Sequence, residues 1–277
     1  MSKGENFPVG SVLIRRDLRG VVTAFYRVAR ASDDVADHPA LPREEKLRRL
    51  DAFDAGLTGD LDGPPEALAL ARIGRPDAVR HASQLLRAFR RDARNDACQT
   101  WDDLLAYCED SANPVGRFLL DLHGEPRATW PLSDALCTAL QVLNHLQDLR
   151  SDHLALGRHY LPLRWMAEEG APLSDLGAPA MSPALRRTVN RALGRCDALL
   201  DRAEELPRAI TSRRLAGEAA VVLWLARRLS ARLRASDPLA GRVKPTRLDF
   251  ARAGLAGAAM ALRPRLPARG ALGKEGA

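Results

Sequence analysis

Asn144-His145-Leu146-Gln147-Asp148-Leu149-Arg150-Ser151-Asp152 sets Asn144, Asp148 and Asp152 at i, i+4 and i+8. On an α-helix this spacing makes an oxygen stripe about two turns long on one face. The residues leading into it, Leu136, Ala139, Leu140, Leu143 and Leu146, are apolar at helical spacing, so the stripe is expected to look into a cavity rather than bulk water. Its hard oxygen donors suit Mg²⁺ rather than Zn²⁺, since no histidine or cysteine belongs to the set. His145 falls off the stripe and reads as an ordinary polar or core histidine.

The same i, i+3, i+4 pattern of apolar residues extends outward in both directions. It predicts helices over 21–36, 42–57, 77–93, 101–122, 132–153, 184–206, 215–235 and 247–262. Breakers separate them at Gly59 to Pro65, Gly74-Arg75-Pro76, Gly124-Glu125-Pro126 and the Gly170–Pro183 run. Thr100 followed by Asp103 reads as a capping box opening the helix at Trp101. No alternating strand pattern, solenoid-period repeat, GxGxxG or P-loop occurs. The expected fold is all-α, a single domain over residues 1–262. The tail 263–277, with Pro264, Pro267 and three glycines, reads as disordered.

A second acidic stretch, Arg30-Ala31-Ser32-Asp33-Asp34-Val35-Ala36-Asp37, carries Asp33 and Asp37 one turn apart on one helical face. Like charges at that spacing repel, and a cation between them removes the penalty. Taken alone, the pair reads as a solvated helix end. Two separated acidic stripes in one helical chain are more specific, and suggest a diphosphate held by Mg²⁺ between facing helices. Arg30, three residues before Asp33, either binds phosphate oxygens or pairs with Asp33 or Asp34.

Composition narrows the choice less than these motifs do. The 277 residues carry 42 Lys and Arg against 35 Asp and Glu, a net charge of +7. Residues 181–277 hold 20 basic and 8 acidic residues, leaving 22 and 27 for the rest, so +12 is set against −5. That excess raises nucleic acid or anionic lipid as a partner of a non-enzymatic helical protein. Interleaved Glu and Arg and the absence of a recognition motif argue against nucleic acid. Cys98, Cys108, Cys137 and Cys196 form no CxxC pair and read as free thiols. The first six residues lack the apolar core of a signal sequence. The longest apolar stretch, Ala253 to Leu262, is about half a bilayer span, so a cytoplasmic location is expected, with peripheral contact at the inner face of a membrane open.

The motifs converge on a known family. Phe25-Tyr26-Arg27-Val28-Ala29-Arg30 with the following Ser32–Asp37 segment resembles the first aspartate motif of the squalene/phytoene synthases. Tyr107-Cys108-Glu109-Asp110-Ser111-Ala112-Asn113-Pro114-Val115-Gly116 is similar to their central tyrosine segment. Asn144 to Asp152 with Gly157-Arg158-His159-Tyr160-Leu161-Pro162 resembles the second aspartate motif and its arginine-bearing tail. The resemblance covers about residues 6–235, in family order. Glu5-Asn6-Phe7-Pro8-Val9 and the segments Ser111–Arg117 and Asn144–Asp148 are closest to the bacterial hydroxysqualene synthases of hopanoid pathways.

This resemblance implies an isoprenoid synthase helical fold around a central apolar cavity. It implies Mg²⁺ on Asp33, Asp37, Asn144, Asp148 and Asp152, and substrate contacts from Arg30, Arg158 and Asn113. Tyr26, Tyr107 and Gln147 become candidate catalytic residues, the tyrosines through their hydroxyls and π faces. Tyr107, Asn113 and Gln147 are candidates to place a water. Asp34 points about 100° away from Asp33 and is expected beside the site rather than in it. The family often has an acid where Ala36 stands. The implied substrate is presqualene diphosphate, converted to hydroxysqualene. The alternative is head-to-head condensation of two prenyl diphosphates, and other hopanoid-pathway enzymes are implied partners.

Overall fold

The computed structural model describes residues 15–263; the Glu5–Val9 motif and the tail from Pro264 onward lie outside them. Helix α1 (Arg19–Asp37) buries Val22, Phe25, Val28, Ser32 and Ala36, spaced by three or four residues. One face is thereby committed to the core and the adjoining one carries Tyr26, Ala29, Asp33 and Asp37. The helix stops where His38 turns extended ahead of Pro39.

Helices α2 (Arg43–Thr58), α3 (Pro65–Arg72) and α4 (Pro76–Arg94) pack on α1. α2 is stopped by Gly59 at φ 113° and α4 by Asn95 at φ 60°, both in the left-handed region that closes a helix. The predicted breaker ending at Pro65 does not extend further, because Pro65 occupies the first turn of α3, where its missing N–H costs nothing.

Three predicted helices are interrupted. The 101–122 stretch divides at Ala112 into α5 (Trp101–Ser111) and α6 (Asn113–Leu122), with Pro114 in the first turn of α6. The capping box between Thr100 and Asp103 opens α5 as read. The 132–153 stretch divides at Asp148 (φ −102°, ψ 12°) into α7 (Trp130–Gln147) and α8 (Leu149–Leu156). The last is 184–206: α10 (Pro183–Arg202) ends before α11 (Leu206–Ala209), preceded by α9 (Leu163–Glu169). α12 (Arg213–Ala235) and α13 (Arg247–Leu262) follow the expected bounds closely. No strand occurs among the described residues, so the fold is all-α.

Two apolar cores flank the centre. One joins α1 to α4 and includes Leu50, Phe53, Leu70, Leu86 and Phe118. The larger joins α5, α7, α10 and α12 through residues such as Leu104, Leu143, Leu193 and Leu229. Burying each such side chain contributes about 1.5–3 kcal/mol. Phe25 stacks on Phe118 at 4.0 Å, tying α1 to α6. All four cysteines are free, as expected.

Candidate active site

Where the two cores face each other, α1, α4, α5, α7 and α8 enclose a polar cavity of about 300 Å³. α1 contributes Tyr26, Arg30, Asp33 and Asp37; α5 contributes Tyr107 and Ser111; α8 and the residues after it contribute Asp152, Arg158 and Tyr160. Seven of the eleven expected site residues therefore meet in one place. Gly157 at φ 65° turns the chain after α8, carrying Arg158 and Tyr160 back over the cavity.

The carboxylates stand on two walls. Burial, then the charge of Asp37, raises Asp33 to about 7 against the partial relief given by Arg30. Asp152 is raised to about 7 by burial first, then by Asp148 and Asp37. A cation near these two carboxyls would favour their charged forms. Among the described residues no three acidic, histidine or cysteine side chains are gathered tightly enough to hold an ion alone. Hard oxygens on separate walls fit Mg²⁺ shared with a diphosphate, whose own oxygens would have to complete the coordination.

The arginines are engaged with these acids. Arg30 contacts Asp33 at 3.1 Å and Asp34 at 2.8 Å, so both pairings open to it in the sequence are present. Arg158, buried, donates to Asp37 and to the Ala36 carbonyl at 2.8 Å. Ala36 is fully buried, so an acid there would enter the core rather than the cavity. Asp34 is exposed, outside the cavity, in keeping with its expected direction.

An aromatic wall lines the same cavity. Tyr107 and Tyr160 donate hydroxyl hydrogen bonds to the two oxygens of Asp92, at 2.8 and 2.9 Å. His145 stacks on Tyr160 at 3.6 Å, and Gln141 contacts its Nε2 at 3.2 Å. Burial, then Arg158, lowers His145 to about 3, so its ring is neutral near pH 7. Burial raises Asp92 to about 6, opposed by Arg158 and the two tyrosines. Ser111 Oγ is buried with no hydrogen-bond partner at this wall.

The other expected residues lie elsewhere. Asp148 pairs with Arg242 at 3.4 Å at the break between α7 and α8. Burial raises its pKa, and Arg242 and Lys244 oppose the rise. Asn144, half-buried one turn before it, is likewise not on the cavity wall. Gln147 is buried and donates to the Val243 carbonyl, which directs it away from the cavity. Asn113 donates to Glu109 at 2.9 Å and accepts from Thr138 at 3.0 Å, which occupies it as a joint between α5, α6 and α7. Asp92, His145, Ser111 and Tyr160 were not among the candidates: Asp92 sits in an Arg-rich helix end, and its tyrosine partners lie 15 and 68 residues away in sequence.

Tyr26 and Ala29 also line a second, apolar cavity of about 330 Å³ running between α1, α6, α7, α11 and α12. Its walls include Val22, Phe25, Leu119, Leu136, Ile210 and Val222, with Glu218 the one charged-type residue among them. Gly116 borders it, and a methyl group there would meet Ser133 Oγ at 2.3 Å and Cys137 Sγ at 2.6 Å. A polar chamber thus adjoins an apolar one at a shared tyrosine, an arrangement suited to a molecule with a charged head and a hydrocarbon body.

Comparison with known proteins points the same way. The family model described as squalene/phytoene synthase matches residues 1–249. A hydroxysqualene synthase of Zymomonas mobilis is 42% identical over 243 residues, 86% of this chain and 82% of that protein. One from Sinorhizobium fredii is 41% identical over 254 residues, 90% of this chain and 86% of its own length. The crystal structure of squalene synthase HpnC from Alicyclobacillus acidocaldarius superposes with a TM-score of 0.71 at 33% identity, covering 84% of this chain and 89% of that one. By sequence across nearly its whole length and by fold, the chain belongs to the squalene/phytoene synthase family.

Proposed function

We propose that this chain is a Mg²⁺-dependent enzyme that converts presqualene diphosphate to hydroxysqualene. The observation carrying this reading is the polar cavity of opposed carboxylates and arginines joined at Tyr26 to an apolar cavity. The relatives named hydroxysqualene synthase, at 41–42% identity, support it.

Mg²⁺ bound with the substrate supplies positive charge that stabilises the departing diphosphate. Asp33, Asp37 and Asp152 would hold the metal and with it the head group, whereas Asn144 and Asp148, off the cavity wall, would have to turn toward it to join them. Arg30 and Arg158 each exchange a carboxylate partner for phosphate oxygens, which a planar guanidinium binds through two N–H groups. Cleavage of the carbon–oxygen bond leaves both electrons on the diphosphate and a cation on the hydrocarbon.

Tyr107, Tyr160 and neutral His145 offer π faces to that cation, with one face of Tyr107 already covered by the Arg91 guanidinium at 5.3 Å. Asp92 fixes the two hydroxyls, so the rings hold one orientation. The apolar cavity excludes bulk water while the cation rearranges. One admitted water then forms the new C–O bond and passes its proton to the released diphosphate. With Asn113 and Gln147 bonded elsewhere, Ser111 Oγ is the hydroxyl at this wall left to anchor that water after a χ1 rotation.

The test is incubation of purified protein and Mg²⁺ with presqualene diphosphate, without NADPH, and product identification by mass spectrometry. Hydroxysqualene supports the proposal. Turnover of farnesyl diphosphate to presqualene diphosphate, with no hydroxysqualene, assigns the condensing reaction instead.

A further inference from the structure

The outer face of α13 is apolar and has no partner within the described fold. Leu248, Leu255 and Leu262 are 58%, 72% and 78% exposed. Their spacing of seven residues aligns them on one side of the helix over about 21 Å. Ala251, Ala258 and Ala259 are exposed on the same side, whereas Asp249, Ala253 and Gly257 on the opposite side are buried against α12. Soluble surfaces carry isolated leucines without consequence, but an aligned row marks a contact face.

The helix is held rigidly for such a contact. Asp249 accepts from Arg228 at 3.0 Å and Arg232 at 2.9 Å, and it closes a capping box with Thr246. Gly217 and Gly257 let the two backbones approach so closely that a methyl group on Gly217 would lie 2.9 Å from the Gly257 carbonyl oxygen.

Charge selects the occupant. From Pro238 to Arg263 the sequence carries Arg242, Lys244, Arg247, Arg252 and Arg263 and one acid, the buried Asp249. A leucine row bordered by arginines, with no exposed carboxylate, matches an interface of negative head groups over hydrocarbon. The segment entering α13 passes the break between α7 and α8, where Arg242 pairs with Asp148. The face therefore begins beside the residues of the second acidic motif. No helix among the described residues is long and apolar enough to cross a membrane, so contact through α13 would be parallel to the surface.

We propose that the Leu248–Leu255–Leu262 face of α13 docks on an anionic lipid bilayer. The inference concerns a surface and stands apart from which diphosphate the cavity accepts. Sedimentation of the full chain with vesicles of phosphatidylcholine, alone or mixed with phosphatidylglycerol, tests it, with lipid-free sedimentation velocity as a parallel measurement. The expected result is binding to the mixed vesicles that weakens with salt. L248S/L255S/L262S should lower that affinity about ten-fold or more, with the helical circular dichroism and melting temperature of the parent retained. R252E should weaken binding to mixed vesicles alone. Failure of the parent to bind, or equal binding by the triple variant, overturns the proposal. So does a lipid-free dimer that the triple variant dissolves without any vesicle binding, which assigns the face to a second copy.

Discussion

Asp33 shows how far this site departs from an ordinary surface. Its carboxyl, raised from 3.8 to about 7 by burial and then by Asp37, keeps its proton more firmly in the folded chain than in the unfolded one. Its contribution therefore favours the fold at low pH and is lost as pH rises from about 4 through 7. Asp152 acts in the same sense. Melting temperature without ligand should fall across that window for this reason, and D33N should melt about 2 °C above the parent at pH 8 while losing turnover. Asp92 is likewise raised by burial, to about 6, but it also receives two tyrosine hydrogen bonds. D92A strands the Tyr107 and Tyr160 hydroxyls, which should cost about 1–3 kcal/mol of stability and slow turnover; chemical denaturation and initial rates check both. S111A should leave consumption of presqualene diphosphate nearly unchanged and lower the hydroxysqualene share of products, read by mass spectrometry. In the sequence, the paired aspartates were visible because helical spacing alone aligns them. Asp92 was not, because Arg90-Arg91-Asp92-Ala93-Arg94 reads as a solvated charge run until tertiary packing brings the tyrosines to it.

Elements explain why the second acidic motif is not one straight stripe. Asp148 lies outside helical geometry, so α8 leaves α7 at that residue and carries Asp152 to the cavity while Asp148 turns to Arg242. Periodicity predicted one helix because every residue of 144–152 tolerates helical conformation and no glycine or proline marks the break. The division at Ala112 was foreshadowed by Pro114, yet Pro in a first turn is compatible with a continuing chain of helices, so the apolar pattern ran across it. α13 was legible through its apolar period, whereas its capping box of Thr246 and Asp249 and its attachment to α12 through the Gly217–Gly257 approach emerge only in the fold. Gly116 plays a comparable part between α6 and α7. G116A forces a methyl group onto Ser133 and Cys137, and overpacking of that kind costs about 1–3 kcal/mol. The melting temperature should fall by several degrees, and the narrowed apolar cavity should raise KM for a C30 diphosphate more than it lowers kcat.

Across the whole molecule, the +7 charge resolves into two tasks. The −5 of residues 1–180 includes the acids at the cavity, Asp33, Asp37, Asp92 and Asp152. The +12 of residues 181–277 includes the arginines bordering α13. Two cores meet across paired cavities, one bearing the acids and the other lined by hydrocarbon. The all-α class followed from periodicity alone, whereas the joining of the two cavities at Tyr26 could be seen only once α1 was placed against α6 and α7. The central claim is that this joined chamber ionises presqualene diphosphate and adds water. Its most direct measurement is turnover of presqualene diphosphate in H₂¹⁸O with Mg²⁺, followed by mass spectrometry of the alcohol. Hydroxysqualene carrying one ¹⁸O, formed by the parent and absent with D33N, is the expected result. Consumption of presqualene diphosphate to a hydrocarbon without incorporated oxygen, or labelled hydroxysqualene formed equally well by D33N, would contradict it.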